Sequence, residues 1–156
     1  MKYYKLDITR VLLREGETQY ASTPEQITRY ALEFCFDPAD MWREHCFLVF
    51  LDAKNAITGH FHLGIGGTES VVIDKKAACI AMLGSGASKA VLVHNHPGED
   101  PSPGQSDIRE TESLKKAFAS IGCSLVDHVI IADGVFFSFA DEKPTKFDII
   151  HNHKKH

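Results

Sequence analysis

The sequence predicts an α/β (α+β) domain in three layers, a mixed sheet with flanking helices, and three observations carry that expectation. Short apolar runs of strand length, such as Cys46 to Leu51 and Lys89 to Val93, alternate with amphipathic stretches of helical period. Two stretches, Thr23-Pro24-Glu25-Gln26 and Ser102-Pro103-Gly104-Gln105, repeat one helix-start signature of cap, proline and glutamine. Asp133-Gly134 separates two apolar runs by two residues, the strongest short hairpin signal in the chain. At 156 residues, with 44% of them hydrophobic, the chain is the size of one domain that buries its own core.

Taken in order, Tyr4 to Leu13 has the composition of a strand, closed by Arg14-Glu15-Gly16-Glu17. Thr23 then caps a helix running to about Phe36, with Ile27, Tyr30, Ala31 and Phe34 on one face, before Asp37-Pro38-Ala39-Asp40 interrupts it. Cys46-Phe47-Leu48-Val49-Phe50-Leu51 is apolar throughout, as expected of a central strand covered on both faces. Turn residues Asp52-Ala53-Lys54-Asn55 join it to Ala56–Leu63 in an antiparallel hairpin, after which Gly64, Gly66 and Gly67 free the chain to bend. A short run, Ser70 to Ile73, ends at Asp74, the expected cap of a helix from Lys75 to Leu83 whose inner face would carry Ala77, Ile80 and Ala81. Gly84-Ser85-Gly86 stops that helix, and the strand from Lys89 leads into a Gly/Pro-rich loop. Ser102 is the expected cap of the next helix, which carries Ile108, Leu114, Ala117, Phe118 and Ile121 inward and stops at Gly122. Leu125 to Ala132 and Val135 to Phe139 form the closing hairpin. Beyond Ala140 the chain turns polar, and Thr145 to His156, without period and ending in His and Lys, reads as a tail or expression remnant with no core role. The expected division is an N-terminal extension over 1–22, one domain over 23–142 and a tail over 143–156.

Composition narrows the function classes. A formal net charge of -4 gives no basic patch to track a phosphate backbone, which argues against tight nucleic-acid binding. Cys35, Cys46, Cys79 and Cys123 are isolated from one another, so they read as reduced thiols rather than a zinc knuckle or disulfide frame. With no signal-peptide apolar region and no run long enough to span a bilayer, the expected location is cytoplasmic.

The chemistry concentrates in Val93-His94-Asn95-His96-Pro97 and the loop that runs on to Asp107. His94 and His96 fall at the end of a buried strand and just beyond it, where residues two apart point the same way. Asp107, early on the following helix, can return its carboxylate to the same point. Two imidazoles and one carboxylate suit zinc, and three protein ligands leave a fourth position open. Zinc lowers the pKa of water from about 16 to roughly 7 and polarises a carbonyl, so hydrolysis is the natural reaction class. The general base must then be a carboxylate near the metal that does not ligate it, and Glu44, at the mouth of the first central strand, is the candidate.

Other histidines read plainly. His60-Phe61-His62 repeats the spacing without a third ligand nearby and is expected to be a pair of exposed or hydrogen-bonded strand residues. In Asp127-His128 the histidine is expected to bond a neighbour, with support of a metal ligand as the alternative. His151, His153 and His156 belong to the tail. Neither H-E-x-x-H nor the zinc deaminase pair of H-x-E and P-C-x-x-C occurs.

Glu44 ahead of Phe47-Leu48-Val49-Phe50-Leu51-Asp52, the run His94-Asn95-His96-Pro97 with Asp107 at its spacing, and Leu125-Val126-Asp127-His128-Val129-Ile130 together resemble the RadC-like branch of the JAMM/MPN metalloprotease superfamily over roughly residues 25 to 142. The resemblance implies a fold like that of cytidine deaminases and a zinc-dependent peptidase or isopeptidase. It also implies zinc ligands at His94, His96 and Asp107 and a general acid/base at Glu44. The family pattern places an oxyanion-holding serine three residues before the aspartate, where this chain has Gly104, with Ser102 and Ser106 nearby. Losing such a donor costs about two to three powers of ten in rate. Full-length RadC-like proteins usually carry an N-terminal helix-hairpin-helix module associated with DNA, and the resemblance here covers the metal domain. The competing expectation is therefore a non-catalytic metal-binding module assisting DNA repair, recombination or anti-restriction.

Overall fold

The computed structural model describes residues 16–66 and 72–148, and the strand expected over Tyr4 to Leu13 lies outside them, as do His151, His153 and His156. Helix α1 (Pro24–Phe34) starts as its sequence dictates: Thr23 Oγ1 accepts from the Gln26 N–H, and Gln26 Oε1 accepts from the Thr23 N–H at 3.1 Å. A single 3₁₀ turn (Pro38–Asp40), capped by Asp37, then leads to β1 (His45–Leu51), buried at all seven positions, and β2 (Ile57–Ile65) returns antiparallel to it. Asp52 fixes the turn between them by accepting from the Lys54 and Ala56 N–H groups, both at 2.8 Å. There follow α2 (Lys75–Ser85), β3 (Lys89–Asn95), α3 (Gln105–Ser120), β4 (Ser124–Ala132), β5 (Val135–Ser138) and β6 (Lys143–Lys146). The strands make one mixed sheet in the order β2-β1-β3-β4-β5-β6, parallel only between β3 and β4, where α3 provides the crossover.

Alternation along the central strands sorts their side chains into two cores. Phe47, Val49 and Leu51 of β1 join Val91 and Val93 of β3 under Ile27 and Ala31 of α1. Cys46, Leu48 and Phe50 join Ala90 and Leu92 under Ala78 and Met82 of α2 and Leu114 and Phe118 of α3. The result is the three-layer arrangement expected, with α1 on one face of the sheet and α2 and α3 on the other.

Three local expectations are corrected. On α2 the buried residues are Ala78 and Met82, while Ile80 is 54% exposed; a helix apolar nearly all round has no polar stripe to mark its inner face. On α3 Thr111 takes the inner position ahead of Leu114 and Phe118, and Ile108 faces outward. Ordered structure also runs past residue 142. β6 pairs with β5, Pro144 opposite Phe137, and Phe147 packs against Phe136 in the core beneath α1. An open sheet edge offers backbone groups that a polar strand satisfies as well as an apolar one, and an edge tolerates proline, so polarity alone did not reveal it. The turn of the β4–β5 hairpin is Asp133-Gly134 itself, Gly134 holding the positive φ of 67° that the tight turn requires.

Candidate metal centre

The centre forms where β3 ends beside the start of α3. His94, the penultimate residue of β3, points to the face covered by α2 and α3, and His96 follows just past the strand, tied by its N–H to the Ile131 carbonyl at 2.9 Å. The loop then turns back and α3 begins. Its cap is Gly104, not Ser102: the Ile108 N–H donates to the Gly104 carbonyl, and the Ser102 N–H donates to Asp100 Oδ1 instead. Starting the helix there makes Asp107 its third residue, and the carboxylate reaches back to accept from the Gly104 N–H at 2.7 Å. That bond fixes the Asp107 rotamer, and the carboxylate faces both histidines, 3.4 Å from His94 Nε2 and 3.5 Å from His96 Nε2.

One ligand atom from each of His94, His96 and Asp107 lies within 4.8 Å of the others, the only such group of three or more among the described residues. Two neutral-capable imidazole nitrogens and a carboxylate oxygen converging from two elements form a donor set that fits a divalent metal of the zinc type. The protonation preferences of His94 and Asp107 agree with that fit, whereas that of His96 runs against it. Burial holds His94 neutral, its pKa lowered to about 4 against the opposing pull of the Asp107 charge. Burial also works against ionisation of Asp107, but the His96 hydrogen bond, the pull of the His94 ring once protonated, the Gly104 N–H and the His96 charge prevail and bring it down to about 2. For His96 burial is again the largest influence and lowers the pKa, yet the Asp107 and Asp100 hydrogen bonds and the Asp107 and Glu44 charges together raise it.

Glu44 is buried and precedes β1 by one residue. In the β1–β3 pairing Cys46 lies opposite His94, so the register continued by two residues sets Glu44 opposite His96. Asn95, fully buried between the two histidines, makes that approach rigid. Its Oδ1 accepts from the His45 N–H at 2.7 Å, and its Nδ2 donates to the carbonyls of Arg43 at 2.8 Å and Met41 at 3.1 Å. The side chain between the two histidines thus grips the backbone on both sides of Glu44.

Behind His94 stand two residues that spacing alone did not select for the site. His94 Nδ1 lies 2.7 Å from His128 Nε2, and His128 Nδ1 lies 2.6 Å from Thr111 Oγ1, which donates to the Asp107 carbonyl at 2.6 Å. His128 is 1% exposed, its pKa is driven well down by burial, and Phe139 stacks on its ring. Asp127 turns the other way, accepting from the N–H groups of His128 and Ala140 and from Ser138 Oγ. The histidines of the second H-x-H are hydrogen-bonded strand residues: His60 bonds the Tyr30 hydroxyl and His62 meets His45. Ser102 is exposed beside Asp100, and neither it nor Ser106 has a hydrogen bond to the three candidate ligands among those described.

Fold and centre together define a three-layer α/β domain with a His-His-Asp group at a strand end, the architecture of a JAB/MPN-type domain. The model of the RadC-like JAB domain matches residues 21–144, and the chain belongs to that family. Among its relatives are UPF0758 proteins of Coprothermobacter proteolyticus, 33% identical over 88% of this chain and 60% of the relative, and of Pelobacter propionicus, 36% identical over 77% and 51%. A UPF0758 protein of Thermotoga maritima is 34% identical over 88% of this chain and 61% of its own length. The chain thus spans between half and two thirds of the length of these relatives. No helix among the described residues is long and apolar enough to cross a membrane.

Proposed function

We propose that this domain is a zinc-dependent hydrolase of amide or isopeptide bonds in a protein or peptide substrate, with His94, His96 and Asp107 as metal ligands and Glu44 as general acid/base. The observation that carries the reading is the convergence of the three donor groups within 4.8 Å of one another. Held by His94, His96 and Asp107, a zinc ion would supply Lewis-acid chemistry, lowering the pKa of water from about 16 to roughly 7 and polarising a substrate carbonyl. Glu44 takes the proton of the attacking water and hands it to the leaving amine. Asn95 holds the backbone around Glu44 at fixed distance from the ligands, so the base is positioned before substrate arrives. Four unpaired cysteines accord with residence in the reducing cytoplasm.

Gly104 favours a second reading. The residue that caps α3 beside Asp107 has no side chain to donate to a developing oxyanion, and a metal-binding module without turnover, assisting DNA repair, recombination or anti-restriction through protein contacts, accounts for that. Elemental analysis of wild type and Asp107→Ala tests the site: about one zinc per chain is expected in the first and none in the second, and equal content sinks the ligand assignment. A peptide-library screen then separates the readings. Cleavage by wild type, lost in Glu44→Gln with metal retained, supports the hydrolase; unchanged cleavage removes Glu44 as the base.

A further inference from the structure

The three hydrogen bonds behind His94 have a direction, and one proton count satisfies all of them. Asp107's backbone carbonyl can only accept, so the proton in its 2.6 Å contact with Thr111 Oγ1 is the threonine's own. A hydroxyl has one proton to give. The 2.6 Å contact between Thr111 Oγ1 and His128 Nδ1 must therefore be bridged by a proton carried on His128 Nδ1. A neutral imidazole carries one N–H, so His128 Nε2 is bare and accepts across its 2.7 Å contact from His94 Nδ1–H. That leaves the lone pair of His94 Nε2 directed at the Asp107 carboxylate and His96. The reverse order would put the threonine proton on His128 and leave two oxygens, Thr111 Oγ1 and Asp107 O, 2.6 Å apart with no proton between them.

We propose that Thr111 and His128 form a one-way hydrogen-bond relay that fixes His94 as its Nδ1–H tautomer and so keeps Nε2 free to bind metal. They are positioning residues: neither touches the metal position, and both act through His94. The inference rests on the metal-centre reading and adds to it the means by which the ligand is made competent. The relay begins at the backbone of Asp107 and ends on His94, so the ligand supplied by α3 and the ligand supplied by β3 are set by one chain of bonds. Phe139, stacked at 4.7 Å on His128, holds the relaying ring in plane. Where the partner of a metal-bound histidine is lost, metal affinity falls by about 10- to 100-fold.

The test begins with wild-type, metal-free protein labelled with nitrogen-15, in which long-range nitrogen–proton NMR correlations report which ring nitrogen of each histidine is protonated. Protons on Nδ1 of both His94 and His128 are expected at neutral pH; a proton on His94 Nε2 overturns the relay. Zinc affinity is then measured by competition with a chromogenic chelator. Thr111→Val, which keeps shape and removes both hydrogen bonds, should weaken binding about 10- to 100-fold, while Thr111→Ser should stay within a few-fold of wild type. Unchanged affinity in the valine variant, or equal losses in both variants, overturns the proposal. The tautomer measurement needs no variant and decides the relay even if Thr111→Val fails to fold. A wild-type protein that binds no zinc removes the metal reading, while the His94 tautomer still passes judgement on the relay.

Discussion

Replacing Asn95 with alanine removes three hydrogen bonds at a position with no solvent access. Oδ1 no longer accepts from His45 N–H, and the carbonyls of Arg43 and Met41 lose the Nδ2 donor. Each buried hydrogen bond contributes about 1 kcal/mol net, and a partner left unsatisfied costs about 1–3 kcal/mol. With one N–H and two carbonyls stranded, the loss of folding stability should be about 3 kcal/mol, and less where water enters the space. Asn95→Asp separates shape from chemistry: it retains an acceptor for His45 N–H but turns a carboxylate oxygen toward two carbonyls, so it should be no better than alanine at neutral pH. The assay is urea unfolding of metal-free protein, comparing midpoints at a common slope. A second readout follows from what the bonds hold. If the proposed hydrolase reading holds, releasing the backbone around Glu44 should lower hydrolysis by about 100-fold for a displacement of about 1 Å, while zinc stoichiometry stays near wild type because none of the three proposed ligands has been changed. A stability loss under 1 kcal/mol in Asn95→Ala would refute the claim that this side chain anchors the Glu44 segment.

Acidification should destabilise the metal-free protein. His94 titrates near 6.5 when unfolded and about 4 when folded, so its contribution is fully present above pH 6.5 and is lost as pH falls through about 4; for this nearly fully buried ring the loss is about 3 kcal/mol, and His128 shifts in the same direction. Urea midpoints measured from pH 7.5 down to 4.5 check this, a flat profile counting against neutral buried histidines. Gly104→Ser should be accommodated, since its φ of -77° suits any residue and the added Cβ would meet Asp107 Oδ2 at an ordinary 3.4 Å. Zinc content should hold, stability should change by a few tenths of a kcal/mol, and kcat should rise by about tenfold or more if a missing oxyanion donor limits turnover; an unchanged kcat would mean that it does not.

Much of this architecture is legible in local chemistry. Thr23 and Gln26 cap α1 within four residues, Asp133-Gly134 makes its own turn, and β1 is apolar at nearly every position because both its faces are covered. His94, His96 and Asp107 stand out for the same reason, being drawn from one strand, one loop and the first turn of one helix. The start of α3 misled by two residues, because Ser102 and Gly104 both suit a cap and the return of the Asp107 carboxylate to Gly104 decided between them. The face of α2 and the strand β6 escaped because neither carries a pattern that distinguishes inside from outside.

By itself, then, the sequence marked most of the elements, the three-layer class and the three candidate ligands, since caps, turns and periodicity act over a few residues. Only the tertiary structure decided what stands behind them. The Asn95 bond to His45 spans 50 residues, the His94–His128 contact 34 and the Thr111–His128 contact 17. Such pairs are set by the register of β1 and β4 against β3 and by the seat of α3 on the sheet. A buried polar group must find its partner wherever packing brings one, and no spacing along the chain announces which it will be.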